Sequence, residues 1–322
     1  MKLIDKYGRK ITYLRVSVTD RCNLRCIYCR PNSFTMLSHD QILRYEEIIE
    51  IVKVATNLGI RKVRVTGGEP FVRKDIDVFL RELKKVSKIK ELSITTNGVL
   101  LLEYIELLKK LGITRINISL DTLKPDRYKE ISGRDEFFKV LGGIYKAKEL
   151  GFDPIKINVV VLKGINEDEI MDFVRLSIEE PFYIRFIEYM PACSNASNNY
   201  LVSGRDIRKM IKEKFELLSL SSRFSLYPGP ARYYKVKGAK GVIGFIDPMT
   251  SHFCKYCNRI RLTADGHLKP CLMSPYQIDI KGPIRRGADS KEIAKIFLKA
   301  VEQKPIAHTD YSIKGAMYLI GG

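Results

Sequence analysis

The sequence predicts an α/β protein: a partial six-stranded (β/α) barrel with an α+β extension toward its C-terminal end. Three observations carry that prediction. Six short strand-like runs, Tyr13 to Val18, Lys62 to Thr66, Glu91 to Thr96, Arg115 to Leu120, Ile155 to Leu162 and Phe182 to Glu188, alternate with stretches of helical periodicity. That is the rhythm of parallel βαβ units. Polar and thiol residues gather just past the ends of these runs, where parallel sheets present their sites. The rhythm breaks after Met190, which disfavours a full barrel of eight units.

Taken in order, the first run leads into a cysteine-rich loop. Ser38 to Gln41 then reads as a capping box, with Ser38 as N-cap. The helix it opens has apolar positions Ile42, Ile48, Ile49, Val52 and Leu58, and Gly59 closes it. The second strand runs into Gly67-Gly68-Glu69-Pro70. A helix near Asp75 to Ser87 leads to the third strand and Asn97-Gly98. Helices ending at Leu111-Gly112 and Leu150-Gly151 precede the fourth and fifth strands, and one around Glu167 to Ser177 precedes the sixth. Right-handed crossovers wind such units into a barrel or an open sheet. Small polar residues from Pro191 to Asn199 read as a loop. Beyond it come a helix around Ser203 to Phe215, short strands at Ala231 to Lys237 and Gly241 to Ile246, and a helix over Asp289 to Val301. This second half is too strand-poor to stand comfortably alone, so it is expected to pack across the open side of the barrel. We divide the chain into residues 1–222, the barrel, and 223–322, the extension.

Composition narrows the class. A chain of 322 residues, 45% apolar, can bury one large core or two moderate ones. No run of ~18 uncharged apolar residues occurs, so no membrane-spanning helix is expected. The Met1 to Asp5 stretch is too short and charged for a signal peptide. Seven cysteines, an odd number with six of them in two clusters, point away from a disulfide framework and toward reduced ligands in a cytoplasmic protein. The net charge of +19, from 56 Lys and Arg against 37 Asp and Glu, favours an anionic partner. A lysine-rich solvated surface would give the same balance, so charge alone does not choose.

Two thiol triads carry the chemistry. Cys22, Cys26 and Cys29 fall at C-x3-C-x2-C, close enough for one loop to bring three sulfurs to one centre. Thiolates are soft ligands for iron–sulfur clusters, zinc or Cu(I). Structural zinc takes four ligands, and no fourth Cys or His lies nearby before His39. A cubane held by three cysteines keeps one iron free for substrate or cofactor; a zinc knuckle or buried reduced thiols are the alternatives. Cys254-x2-Cys257-x13-Cys271 forms the second triad. Its spacing approaches that of zinc ribbons, and His252 or His267 could complete a Cys3His site. Arg259 and Arg261 follow one strand period apart and can face the same side.

Further residues point to an anionic ligand. Arg15, Lys62, Arg64, Lys156 and Arg185 sit at alternating positions in or beside predicted strands. Lumen-facing cations are costly unless paired with anions, so a barrel lined with them suits a phosphate-bearing ligand. Exposed edge-strand charges are the plainer account of each one singly. Gly67-Gly68 permits a close backbone approach, and Glu69 supplies an acceptor for a cationic group. Neither a G-x-x-x-x-G-K-[ST] loop nor a G-x-G-x-x-G after a strand is present. Cys193 stands apart as a free thiol, and the four histidines form no cluster.

The run Leu14 to Cys29, together with Gly67-Gly68-Glu69-Pro70, resembles the radical S-adenosylmethionine superfamily. The second triad, the run Asn258 to Gly266 and the terminal Gly321-Gly322 are similar to the GTP 3′,8-cyclase family of molybdenum cofactor biosynthesis. The resemblance implies a barrel of radical S-adenosylmethionine type and two 4Fe–4S clusters, one on Cys22, Cys26 and Cys29 and one on Cys254, Cys257 and Cys271. It implies S-adenosylmethionine on Tyr28, Gly68, Ser119 and Met190. GTP would lie on Arg15, Lys62, Arg64, Thr95, Lys156, Arg185, Arg259 and Arg261. Catalytic roles fall to Arg259, Arg261, Gly321 and Gly322, the glycine tail entering the site where bulkier residues could not. An adenosyl radical would take the 3′ hydrogen of GTP, and the product would pass to a cyclic pyranopterin monophosphate synthase. The implied partners also include an electron donor and exclude membrane and nucleic acid, with a homodimer or monomer as the assembly. Arg30 stands where the family commonly has Met, and the segment before Ser38 is short. Two other readings of the same residues are a different radical enzyme with an auxiliary cluster and a zinc-dependent nucleic-acid-binding protein.

Overall fold

Strand residues alternate between a helix-facing and a cavity-facing side, and that alternation sets the architecture. The computed structural model describes residues 2–29, 35–191, 200–220, 229–307 and 320. Strands β1 (Tyr13–Ser17), β2 (Lys62–Thr66), β3 (Glu91–Thr96), β4 (Arg115–Ser119), β5 (Ile155–Val161) and β6 (Tyr183–Glu188) pair in parallel, each with the next. Helices α1 (Tyr45–Asn57), α2 (Ile76–Lys84), α3 (Leu101–Lys110), α4 (Pro125–Ser132), α5 (Phe137–Glu149) and α6 (Ile170–Glu179) lie in the crossovers. The expected six-stranded (β/α) unit is thus present, with two helices instead of one between β4 and β5.

The extension does more than cover an open side. After β6 come α7 (Gly204–Lys212) and β7 (Leu217–Ser219), and the extension itself contains β8 (Arg232–Val236), β9 (Val242–Ile246), β10 (Arg259–Leu262), β11 (His267–Lys269), β12 (Ile278–Asp279), α8 (Lys281–Arg285) and α9 (Ser290–Glu302). β9 pairs in parallel with β6 and β10 in parallel with β1, so the sheet is lengthened at both edges. Among the described residues the order is β12-β11-β10-β1-β2-β3-β4-β5-β6-β9-β8-β7.

Apolar side chains fill the helix-facing side. Leu14, Val16, Val63, Val65, Ile94, Ile116, Ile118, Ile157 and Ile184 are buried against helical residues such as Ile48, Ile51, Phe79, Leu80, Ile105, Val140 and Phe173. Each such side chain, fully buried, contributes about 1.5–3 kcal/mol. This face holds the strands in place and frees the other for polar side chains. β5 shows the division: Ile155, Ile157, Val159 and Val161 are buried, while Lys156, Asn158 and Val160 line a cavity.

One helix start differs from expectation. Ser38 N–H does donate to Gln41 Oε1 (2.9 Å), and Gln41 N–H to Ser38 O (3.1 Å), but these bonds close a turn. α1 begins at Tyr45, after a turn in which Glu47 accepts from Arg44 twice, Oε2 from the backbone N–H (2.6 Å) and Oε1 from Nε (3.2 Å). The reason is tertiary. Asp40 O and Ile42 O accept from Arg285, Gln41 O accepts from Lys281, and Leu43 N–H donates to Ala264 O. Backbone groups that would have continued a helix are engaged by the extension.

Candidate active site

A cavity of about 560 Å³ occupies the polar side of the barrel. It is lined by both thiol triads and by every residue the resemblance assigned to S-adenosylmethionine or GTP. Gly321 and Gly322 lie outside the described residues, as do Arg30 and Cys193.

The first triad lies on the loop that follows β1. Val18 N–H donates to Thr66 O (2.9 Å), which carries the β1–β2 pairing one step further. The loop then folds back over the glycine pair after β2. Gly68 N–H donates to Thr19 O (2.7 Å) and Glu69 N–H to Arg21 O (2.7 Å). A Cβ on Gly68 would stand 2.2 Å from Arg21 O, and one on Gly67 2.7 Å from Thr19 O. What approaches the glycines closely is therefore the thiol loop itself.

Glu69 departs from its expected use. Fully buried, it accepts from Asn97 N–H (2.6 Å), Thr96 Oγ1–H (2.8 Å) and Phe71 N–H (3.2 Å). It ties this turn to the end of β3, and no cationic group among the described residues pairs with it. Burial pushes its carboxyl up to about 7 against those three bonds.

The sulfurs sit among hydrogen-bond donors. Leu24 N–H lies 3.4 Å from Cys22 Sγ, and Asn97 Nδ2 3.5 Å from it. Arg25 N–H and Ile27 N–H bond Ser132 O and Ile131 O, pinning the loop to the end of α4. Tyr28 donates its phenol to Asp121 Oδ2 (2.6 Å), and Asp121 Oδ1 accepts from Val160 N–H (2.8 Å). Burial raises Cys26 well above the ordinary thiol range, and Cys29, Asp121 and Cys22 add to that. Such a thiol needs a nearby positive centre to ionise.

The second triad brackets β10 and β11. Cys257 is opposed by burial, but Arg259 and then Lys304 overcome this and hold it down at about 6, in the thiolate range. Lys304 Nζ donates to Arg259 O (2.8 Å) and Pro270 O (2.6 Å), and Arg9 donates to Cys254 O (2.7 Å). His252 lines the cavity and contacts Pro248 O (2.9 Å), whereas His267 pairs with Asp265 (3.1 Å) and is not part of the lining. Among the described residues, no three His, Cys, Asp or Glu side chains are gathered to hold a single metal ion. The all-sulfur donor sets and N–H groups around Cys22 fit iron–sulfur clusters, whose cysteines ligate separate irons.

Between the triads runs a band of cations set by strand register. Tyr13 lies opposite Arg259 on one side and Lys62 on the other, and Arg15 lies opposite Arg261 and Arg64. Lys62 pairs with Glu91 (2.6 Å), and Arg64 Nε donates to Ser93 Oγ (3.1 Å). Arg185 Nη2 donates to Asn117 Oδ1 (3.0 Å) and Asn158 Oδ1 (2.5 Å). Burial, then Arg261, brings Arg15 well below the usual guanidinium value. Burial, then Arg259, brings Arg261 down to about 10. Lys156 is driven down to about 6 by burial and by Arg185, Arg64, Lys62 and Arg115. Asp121 and Glu188 line the cavity, but their oxygens are occupied by Tyr28 and Val160 and by Gly204, Met249 and Thr250. The site has an excess of buried positive charge that a polyanion would offset.

Sequence reasoning missed Arg9, Lys304, Asn117 and Asn158. The two asparagines follow the same alternation that identified the cations, while Arg9 and Lys304 act across the whole chain and leave no local signal.

Three thiols on the loop after the first strand of a partial barrel, facing a polar cavity, define an enzyme of the radical S-adenosylmethionine superfamily; residues 16–177 match the model of that superfamily. Residues 182–310 match the model described as Molybdenum Cofactor Synthesis C. The GTP 3′,8-cyclase of Petrotoga mobilis is 48% identical over 327 residues, covering 99% of this chain and 100% of the relative. That of Moorella thermoacetica is 46% identical over 323 residues, covering 99% of each. The chain belongs to the GTP 3′,8-cyclase family. Among solved structures, Streptococcus suis SuiB bound to S-adenosylmethionine has a similar fold, with a TM-score of 0.63 and 18% identity over 96% of this chain and 79% of that one.

Proposed function

We propose that the cavity binds S-adenosylmethionine and GTP together, and that the protein converts GTP to (8S)-3′,8-cyclo-7,8-dihydroguanosine 5′-triphosphate, the first step of molybdenum cofactor biosynthesis. The observation that carries this is the band of buried cations between the two triads, which answers a triphosphate without a P-loop. Relatives at 48% and 46% identity with that activity support it.

Cys22, Cys26 and Cys29 would hold one 4Fe–4S cluster and Cys254, Cys257 and Cys271 the other. When bound, the first cluster and S-adenosylmethionine would supply a 5′-deoxyadenosyl radical to take the ribose 3′ hydrogen; the C3′ radical would add to guanine C8, and one electron from the donor and one proton would complete the dihydro product. The chain's own part is position and electrostatics. Tyr28, Gly68, Ser119 and Met190 would fix S-adenosylmethionine. Arg15, Lys62, Arg64, Thr95, Lys156 and Arg185 would hold the triphosphate nucleotide. Arg259 and Arg261 would orient it beside the second triad, and Gly321 and Gly322 would complete the site. We further take the chain as a barrel over 1–222 and an extension over 223–322. It would act in the cytoplasm as a monomer or homodimer, accept electrons from a donor, and pass product to a cyclic pyranopterin monophosphate synthase. No helix among the described residues is long and apolar enough to cross a membrane.

The test is anaerobic incubation of the reconstituted protein with GTP, S-adenosylmethionine and reductant. 5′-Deoxyadenosine and the cyclised nucleotide should both form, and Cys22→Ala should yield neither. Cofactor cleavage at the wild-type rate in Cys22→Ala would remove the assignment of the first triad.

Lys156 gives the site a pH signature. With its amine at about 6 in the free protein, it is neutral at pH 7.5; a bound triphosphate raises that value and restores the charge. GTP binding at pH 7.5 should therefore take up close to one proton, and affinity should fall as pH rises from about 6 toward the raised value of the complex. Calorimetry in buffers of different ionisation enthalpy measures the uptake, which should vanish in Lys156→Met.

A further inference from the structure

Tyr13 has a hydroxyl that packing does not explain. The residue opens β1, is 3% exposed and lines the cavity, yet its buried phenol oxygen has no hydrogen-bond partner among the described residues. An unpaired buried polar group is destabilising, and phenylalanine would fill nearly the same volume without that cost. Its surroundings name the missing partner. The Lys62 ammonium lies 4.9 Å from the ring centroid and the Arg64 guanidinium 5.5 Å from it. Arg259 and Lys62 are its register neighbours on the two flanking strands. A hydroxyl in such company is positioned for a group that several cations attract at once.

We propose that Tyr13 is a substrate-binding residue whose hydroxyl donates a hydrogen bond to a phosphate oxygen of the nucleotide, while its ring seats Lys62 and Arg64 for the same polyphosphate. This rests on the proposed binding of GTP in the cavity and adds to it a neutral donor. The cations supply charge; the phenol, held by the strand, adds a neutral donor at a fixed position. It would distinguish a nucleoside polyphosphate from a nucleoside, because guanosine has no phosphate oxygen to offer it.

The experiment is anaerobic calorimetry of GTP and of guanosine with the reconstituted two-cluster protein, without S-adenosylmethionine or reductant, so that no turnover occurs. Tyr13→Phe keeps the ring and removes only the hydroxyl. It should bind GTP about tenfold more weakly, the loss of one hydrogen bond to a charged acceptor. Guanosine should bind it as it binds the wild type, which also reports an intact cavity. GTP affinity within twofold of wild type would overturn the proposal, as would equal weakening toward GTP and guanosine. If the wild-type protein itself shows no preference for GTP over guanosine, the binding of GTP in this cavity falls first, and Tyr13 with it.

Discussion

A Gly68→Ala variant is expected to lose the first iron–sulfur centre, and with it all cleavage of S-adenosylmethionine, while the second centre is retained. The added Cβ would stand 2.2 Å from Arg21 O and 2.7 Å from Arg21 C and Asp20 O, all backbone atoms that no rotamer change can move aside. The thiol loop would have to lift, and the bonds from Gly68 N–H to Thr19 O and from Glu69 N–H to Arg21 O would go with it. Overpacking costs about 1–3 kcal/mol, and each lost bond about 0.5–1.5 kcal/mol. Such a sum displaces a loop but leaves the apolar helix-facing core standing. Iron analysis should show about half the wild-type content after reconstitution, with an unchanged far-ultraviolet spectrum. Full iron content and normal cleavage would show that the loop tolerates the displacement.

Lys304→Met should produce the complementary failure. Lys304 is 2% exposed, and its ammonium is the shared donor to Arg259 O and Pro270 O, the first just after Cys257 and the second just before Cys271. Methionine preserves most of the stem but abandons two buried carbonyls, at about 1–3 kcal/mol each. It also removes one of the two cations that favour the Cys257 thiolate. The expected result is loss of the second centre with the first intact: 5′-deoxyadenosine still forms, but the cyclised nucleotide falls at least tenfold. Wild-type proportions of both products would show that Lys304 does not secure this region.

The six central strands and both triads were legible because their signals are local. Alternation of Lys62, Arg64 and Thr66 with Val63 and Val65 assigns β2 a polar and an apolar face without a partner in view. The placement of β9 and β10 was not legible. Val242 to Ile246 and Arg259 to Leu262 read as short strands or motifs, and only pairing with β6 and β1 makes them parallel edges of the barrel sheet. The Ser38 box misled for a related reason: its local bonds form, but Arg285 and Lys281 hold the next carbonyls in a turn. Glu69 misled because an acidic residue beside a glycine pair suggests a ligand contact, whereas here it serves the hydroxyl and amides of its own scaffold.

The parallel pairing of β10 with β1 also bears on how the enzyme is made. Asn258 and Thr12, joined by a side-chain hydrogen bond, lie 246 positions apart. The first strand to leave the ribosome therefore waits for nearly the whole chain before its second neighbour arrives, and contacts so distant in sequence form late. Arg259 and Arg261 enter the cavity only at that moment. A nascent chain can present the first three thiols long before it can present the complete cation band.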